Sequence, residues 1–591
     1  MPGLSLIDIP DGLEGKERAL KEGLLFEKDY SILWRERFGP WEAMITGYGT
    51  YPFRTMRTED GSTLVLEGRI YGPERDVERS LGRIGLLLER KGPATVLRDE
   101  LLRTDGEFNI AFFPSGKKEM KVLTDPWNHL PLYIGRKGRT TIVSRELHLL
   151  YTMMEDLTQD DMGIAEFLVF EFQLKDRTFF KEIRKVPPGA LVTIPDGSAP
   201  VTSVYFENDF DERAKRSAST MRAETISLLS SAIKARMPAE GPTPVLSLSG
   251  GLDSRLVLEL MLKNGIELKC SSFVMDDAHV ARDNMIAKMI CEKRGIDLSR
   301  IELELNMKEN VLSLFRAKGG QNRLEMNYLV DYLKKLKRAF GKDMVLVSGD
   351  TGGALRPRLP RHSLNDLDDL VGEILYDDGR WFKNHLLTIE ESSELAGIGP
   401  GLMERELKDH LKSFPESTPN QKFGHFYFYN YFFKWHYESM DRWRHYSWPI
   451  VPLESTPFLA HSYSIPDRYL TGMGYYLDVL DQVDKELAGL PYANWDFHPR
   501  SMKYKLADMK QRSFFHSPKF IRDALRKKGN GRIDAKRAMA DIRSNKVDLS
   551  KGDPFRRKLS WTMLTVDLPL QYTQKGMKGV RERLDGLLDR A

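Results

Sequence analysis

The sequence predicts an α/β protein in three stages: a layered α+β domain, a doubly wound parallel sheet, and a helical C-terminal part. Three observations carry this. Residues 41–143 hold many short strand-like runs around two helical ones. Residues 245–350 alternate strand and helix patterns, as a parallel sheet with helices on both faces requires. The first strand and helix of that alternation are joined by Ser249-Gly250-Gly251-Leu252-Asp253-Ser254, a Gly-rich turn. The stages are read as 1–205, 206–510 and 511–591.

Composition sets the outer bounds. The chain has 591 residues, enough for several domains, and its 41% apolar and 29% charged residues are ordinary for globular protein. A net charge of +4 is too mild to argue for nucleic acid. Two cysteines, Cys270 and Cys291, supply neither a disulfide framework nor a Cys-based zinc site. With no apolar run of membrane-spanning length and no signal peptide, a soluble cytoplasmic protein is expected.

The first forty residues show little periodicity. Strands are expected at 43–48 and 63–71, helices near 75–91 and 94–104, then strands at 108–113, 121–124, 131–134 and 141–143. Turns such as Pro114-Ser115-Gly116 separate them. A helix ends near Arg236. Strand 245–247 then leads into helix 254–263, strand 268–274 into helix 283–293, and a strand near 300–305 into helices near 307–318 and 322–340. The last strand, 344–347, ends at Ser348-Gly349-Asp350. In such sheets ligands sit at the carboxyl ends of the strands, so the turns at Ser249 and Ser348 can face one site. Residues 356–361 form a basic, Pro-broken loop that could screen a pyrophosphate. The aromatic run 423–436 is read as core. The basic tail, with a break at Gly529-Asn530-Gly531, is read as a solvated helix face.

The chemistry of the first turn is specific. Its amides can form an anion nest at a helix N-terminus, with Ser249 and Ser254 adding hydroxyls. Asp253 fits beside a phosphate only with Mg²⁺ between them. No Lys follows the glycines, so this is not a Walker A loop. The string resembles the PP-loop of the N-type ATP pyrophosphatases. That resemblance implies that Ser249, Gly250, Gly251, Asp253 and Ser254 hold the pyrophosphate end of ATP while a substrate attacks the α-phosphorus, releasing PPi.

Other phrases extend the resemblance. Leu66-Glu67-Gly68-Arg69-Ile70-Tyr71, Asp105-Gly106-Glu107-Phe108, Asp125 through Pro131-Leu132-Tyr133, Ser144-Arg145-Glu146 and Val186-Pro187-Pro188-Gly189 follow in order. They resemble the glutaminase domain of asparagine synthetases, an Ntn-hydrolase-like fold. That family has a Cys directly after the initiator Met, where this chain has Pro2. Its Asn-Gly-Glu is Glu67-Gly68-Arg69 here, which removes an oxyanion donor worth roughly 3–4 kcal/mol. The domain is therefore expected not to hydrolyse glutamine and to survive as a structural partner.

The family's second turn reads S-G-E-G-x-D-E, against Ser348-Gly349-Asp350-Thr351-Gly352-Gly353-Ala354 here. The resemblance implies Mg²⁺ held by Asp253 and Asp350, and an adenine–ribose pocket from Leu248, Met275, Ser348 and Gly349. Asp283, read as opening its helix, aligns with a family Asp. Met440-Asp441-Arg442 and 452–459 also match, but the family Arg is Thr456 and the Asp after P-F-L is Ala460. Lys503 is the nearest candidate for the family Lys that meets the adenylate or leaving-group charge, with Arg500 and Lys505 competing. The resemblance spans about residues 40–500.

The expected function is a ligase that adenylates a carboxylate with MgATP and forms an amide, with Asp253, Asp350 and Lys503 catalytic. Its partners would be a small-molecule or peptide carboxylate and either ammonia, from solution or a separate glutaminase, or an amine. A homodimer is expected from the family; membrane and nucleic acid are not. An amine on the substrate itself would make it a cyclase, as in β-lactam synthetases or lasso-peptide cyclases. Two more distant readings are a PP-loop RNA-modifying enzyme and a non-catalytic ATP-binding homologue.

Overall fold

The computed structural model describes residues 2–588 apart from 11, 91, 93, 209, 211–215, 306, 361–362, 377–386, 494–496, 507–508, 510–534, 548 and 550–553. The expected break at Gly529-Asn530-Gly531 lies outside the described residues.

The first stage is built from two six-stranded antiparallel sheets. One contains β1 (Gly3–Asp8), β2 (Ser31–Phe38), β3 (Trp41–Gly47), β8 (Tyr133–Lys137), β9 (Thr140–Ser144) and β10 (Ile183–Lys185), in the order β10-β8-β9-β1-β3-β2. The other contains β4 (Phe53–Arg57), β5 (Thr63–Ile70), β6 (Gly106–Phe113), β7 (Glu119–Thr124), β11 (Ala190–Pro195) and β12 (Val201–Val204), in the order β12-β11-β7-β6-β5-β4. The sheets bury one core between them, with Leu6, Trp41 and Ile45 from the first meeting Val65, Phe113 and Val122 from the second. On the outer face of the second sheet lie α2 (Glu74–Glu89) and α3 (Ala94–Arg103), packed through Leu81, Ile84 and Leu101. The outer face of the first sheet carries α1 (Glu17–Leu24), α4 (Leu147–Met153) and α5 (Asp161–Phe170). This is a four-layer α-β-β-α sandwich, and the predicted Ntn-like layered domain is present. The sequence reading missed β1, α1 and β2. Every residue of β1 is buried, so the two-residue alternation that marks a half-exposed strand is absent.

The second stage is a parallel sheet of β13 (Val245–Ser247), β14 (Lys269–Val274), β15 (Leu298–Glu302) and β16 (Leu346–Ser348), ordered β15-β14-β13-β16. Crossovers run through α7 (Asp253–Lys263), α8 (Ala278–Arg294), α9 (Lys308–Lys318) and α10 (Tyr328–Phe340), while α6 (Ala218–Arg236) leads in. Thus the doubly wound α/β reading holds. Several boundaries move by a few residues, and one of them matters for the site: the helix expected to open at Asp283 opens at Ala278. Asp277 is its N-cap and accepts from His279 N and Val280 N at 2.9 and 3.0 Å.

The aromatic run is core, as expected, but it winds as a π-helix over Tyr427–Tyr437, with Phe428, Phe432, Phe433 and Tyr437 buried. The tail departs from its reading. Its last helical segment, Pro554–Leu588, carries Pro569 and breaks at Gly576 (φ +62°). It is not a solvated face, because Trp561, Met563, Leu564, Val566 and Leu568 are buried in a core shared with α4, α5 and α9. Among the described residues, no helix is long and apolar enough to cross a membrane.

Candidate functional site

The site is set by register. Strands β13 and β16 are neighbours, with Ser247 opposite Ser348, so the two predicted turns leave the sheet side by side. Leu248 extends the first strand by donating its amide to Ser271 O (2.8 Å) and is buried. Helix α7 begins at Asp253, so its free N-terminal amides end at this turn.

The first turn is held from several sides. Ser254 Oγ accepts from Ser249 N (3.1 Å) and lies 3.0 Å from Ser249 Oγ, which in turn accepts from Gly251 N (3.2 Å). Asp283 Oδ1 accepts from Gly250 N (2.9 Å). The helix-start role read for Asp283 is therefore replaced: from within α8, its carboxylate anchors the loop. Arg255, fully buried, donates to Leu487 O (2.9 Å), Pro491 O (2.7 Å) and Gly250 O (3.3 Å). Gly250 is required by packing rather than by φ. A Cβ there would sit 3.0 Å from Ile286 Cβ and 3.1 Å from Ala493 Cβ.

The second turn lies directly on the start of α7. A Cβ on Gly349 would come within 2.2 Å of Ser254 Cα, and one on Gly352 within 2.0 Å of Asp253 Oδ1. The first is a backbone clash that no larger residue avoids, and the second would displace the Asp253 carboxylate. Thr351, between them, has φ +78°, a conformation that is strained for a β-branched residue. The resembled family has Gly at this position. Here the side chain holds the strain in place: Thr351 Oγ1 donates to Glu454 Oε1 (3.1 Å) and lies 2.9 Å from His436 Nε2. A hydroxyl has one proton to give, so His436 donates from Nε2. Burial lowers the His436 pKa to about 4, which keeps the ring neutral. Phe432 stacks on His436 at 4.9 Å, and a Cβ on Gly353 would lie 3.1 Å from the Phe432 ring. The place of the family's second acid is thus against an aromatic ring.

Two carboxylates face the space between the turns. Asp253 accepts from Arg356 Nη2 and Tyr476 OH, both at 2.6 Å. Asp350 accepts from Ser348 Oγ (2.6 Å). Burial pushes the Asp350 carboxyl up, and the charge of Asp253 adds to that. Asp253 in turn holds the Arg356 guanidinium well above its ordinary pKa. Met275 is half-buried one residue beyond the end of β14.

Of the residues predicted for the site, Ser249, Gly250, Gly251, Asp253, Ser254, Ser348, Gly349 and Asp350 come together, with Leu248 beneath them. Lys503 does not join them. It is exposed, its ammonium lies 5.5 Å from the centre of the Phe497 ring, and among the described interactions it touches none of the loop residues. Sequence reasoning missed Tyr476, Arg255 and the holding of Thr351. It named Arg356 only as part of a basic loop. The signal for Thr351 was present, in a residue other than Gly where the resembled turn has Gly.

The first domain shows a different polar centre. Glu67, in the position of the family's oxyanion donor, accepts from Tyr51 OH (2.7 Å), Arg145 Nη1 (2.9 Å) and Asn109 Nδ2 (3.2 Å). A Cβ on Gly3 would be 2.0 Å from Glu67 Oε1, so the carboxylate fills the space beside the start of β1. Arg145 also pairs with Asp441. Lys318 bridges Asp441 (2.8 Å) and Glu438 (2.5 Å), and Lys185 meets Glu438 at 2.6 Å. All six side chains are buried. Burial pushes the Asp441 carboxyl up, but Arg145 and Lys318 outweigh it and hold the group well below the usual range. Nearby, Asp105 pairs with Arg236 Nη2 (2.9 Å) and accepts from Thr456 N (2.9 Å). Thr456, which stands where the family has a substrate-handling Arg, makes that contact through its backbone, and its side chain offers no cation in the place of the Arg.

Residues 87–206 match the family described as glutamine amidotransferase domain. This part of the chain is therefore similar to an amidotransferase domain, in agreement with the resemblance read from its phrases. No curated protein matches the chain. Among solved structures it is similar to the allosteric regulatory enzyme of purine biosynthesis (12% identity, 51% of this chain and 80% of that one, TM-score 0.24). It is similar to glutamine phosphoribosylpyrophosphate amidotransferase from B. subtilis (11% identity, 64% and 89%, TM-score 0.23). It is also similar to NMN synthetase from Francisella tularensis (16% identity, 39% and 97%, TM-score 0.17).

Proposed function

We propose that this chain is an asparagine synthetase-like, AMP-forming carbon–nitrogen ligase whose nitrogen does not come from glutamine hydrolysis in its own first domain. The observation that carries the reading is the convergence of Asp253 and Asp350, in the turns that follow adjacent parallel strands, beside a loop whose amides and hydroxyls bond one another and Asp283.

The residues fit a magnesium ion. The donors are carboxylate oxygens, and two like charges facing one space are relieved by a divalent cation. Among the described residues, no group of three or more His, Cys, Asp or Glu could hold a metal alone. Phosphate oxygens and water would complete the shell, as is common for Mg²⁺. Bound MgATP supplies an electrophilic α-phosphorus and a pyrophosphate leaving group. The chain supplies position and charge. Gly251 N and the Ser249 and Ser254 hydroxyls, which bond one another in this loop, would exchange those bonds for phosphate oxygens at the N-terminus of α7. Asp253 and Asp350 hold the ion. Arg356, which pairs with Asp253 here, would neutralise the leaving phosphates, the task the family resemblance implies for Lys503. Leu248, Met275, Ser348 and Gly349 border the nucleoside.

Glu67 supports the absence of glutaminase activity, because a carboxylate stands where a developing oxyanion would need a donor. The nitrogen then comes from ammonia, from a separate glutaminase or from an amine. Thr456 brings no cation to the place of the family Arg, which favours an acyl substrate other than aspartate, and with it the intramolecular cyclase as the second reading.

The test is Mg²⁺-dependent ATP–PPi exchange across a panel of carboxylates. Exchange should appear with the cognate acid and fall by about a hundredfold or more in Asp253→Ala. Products of ADP and orthophosphate would overturn the proposal. ATP binding without exchange for any acid would favour a non-catalytic homologue, and a salt-dependent complex with tRNA an RNA-modifying enzyme.

A further inference from the structure

A second cavity, of about 600 Å³, lies where the loop before β2 meets α9, α10 and the C-terminal helix. Its walls carry seven Lys and Arg side chains against three carboxylates. Those carboxylates do not neutralise the excess. Glu27 is engaged by His445 Nε2 (3.2 Å), Ser313 Oγ (3.4 Å) and Tyr446 OH (3.4 Å), and Asp29 pairs with Lys337 (2.9 Å). Burial pushes the Glu27 carboxyl up, but the hydrogen bonds of His445 and Ser313 and the charge of Lys334 pull it below its ordinary value.

Three arginines of the wall remain, Arg316, Arg338 and Arg581, and the first and last act on each other. Among the described residues, neither Arg316 nor Arg581 forms an ion pair, and Arg316 Nε is buried without a hydrogen-bond partner. Each repels the other: after burial, the charge of Arg581 is the largest influence lowering the Arg316 pKa. A pair of like charges at the mouth of a cavity is an unfavourable arrangement that an anion relieves. Beside the arginines the wall is aromatic. Phe26 stacks on His445 at 5.6 Å and 20°, with Tyr30 and Tyr446 around them. Arginine pairs phosphate through two parallel N–H donors, and flat rings stack on such a wall. The volume is in the range of sites for small organic ligands.

We infer that this cavity binds a phosphorylated small molecule bearing an aromatic ring, with the phosphate between Arg316 and Arg581 and the ring against Phe26 and His445. It is separate from the Asp253 site, with which it shares no residue.

The test is calorimetric titration of the full chain with phenyl phosphate, and with inorganic phosphate as the ring-less comparison. Phenyl phosphate should bind the more tightly of the two. The Arg316→Gln/Arg581→Gln double variant should lose at least tenfold in affinity, whereas Asp253→Ala should leave it unchanged. Arg581→Gln alone changes an exposed side chain and keeps the fold, and it should weaken binding about threefold. Unchanged affinity in the Arg variants, equal binding of the two probes, or loss of binding in Asp253→Ala would each overturn the inference.

Discussion

The two polar centres of this molecule use charge in opposite ways. In the first domain, Glu67, Arg145, Asp441, Lys318, Glu438 and Lys185 form an alternating chain in which every charge meets an opposite one and all are buried. Nothing is left over for a ligand. At the ends of β13 and β16 the pairing is incomplete. Asp253 has Arg356 and Tyr476, whereas among the described residues Asp350 forms no ion pair: it accepts a serine hydroxyl, is repelled by Asp253 and is drawn by the charge of Arg442. The difference separates a centre that holds domains together from one that can receive a cation. Both contain perturbed acids, so perturbation alone does not mark a site; the proposed site rests on the unmet charge.

The comparison can be broken most sharply at Arg145. Replacing it by Met leaves the Glu67 carboxylate buried without its cation and should cost about 3–5 kcal/mol in chemical denaturation. ATP–PPi exchange measured below the unfolding transition should change little. A stable Arg145→Met protein with altered exchange would mean that the first centre is not merely structural. A smaller effect is expected at Thr351. Thr351→Gly relieves about 1–3 kcal/mol of backbone strain but strips Glu454 and His436 of a partner, at about 1–3 kcal/mol each. A net loss of about 1–2 kcal/mol is expected, and Thr351→Ser should stay near wild type. A gain on going to Gly would show that the hydroxyl does not hold the turn. Smallest of all should be Lys503→Ala, with less than about a twofold change in exchange. Loss comparable to Arg356→Ala would return the leaving-group role to Lys503.

Much of the second centre was legible in the sequence, because its parts are local. A strand, a Gly-rich turn and an amphipathic helix are written within about twenty residues, and parallel-sheet logic puts the next such turn beside it. What escaped came from elsewhere in the chain. Tyr476 and Arg356 meet Asp253 from over 100 residues away, and no pattern around either announces the contact. Asp283 was noticed, but its task was misread: Asp277 takes the cap, which frees Asp283 to reach Gly250. The four-layer domain was visible through its turns and its two outer helices. Strand β1 was invisible because it is buried on both sides and so shows no alternation. The first polar centre was foreseen only as a loss. That Glu67 should become a member of an ion-pair chain depends on Asp441 and Lys318, which lie in other elements.

The C-terminal helix has a consequence for how the protein is made. Trp561 and its neighbours complete an apolar core to which both the sandwich and the parallel sheet's helices contribute. The opening half of the polypeptide therefore leaves the ribosome with an uncovered greasy surface and must wait for residues near its other end. Expressing the two halves from separate genes, a common device for studying composite enzymes, should yield insoluble pieces unless they are produced together.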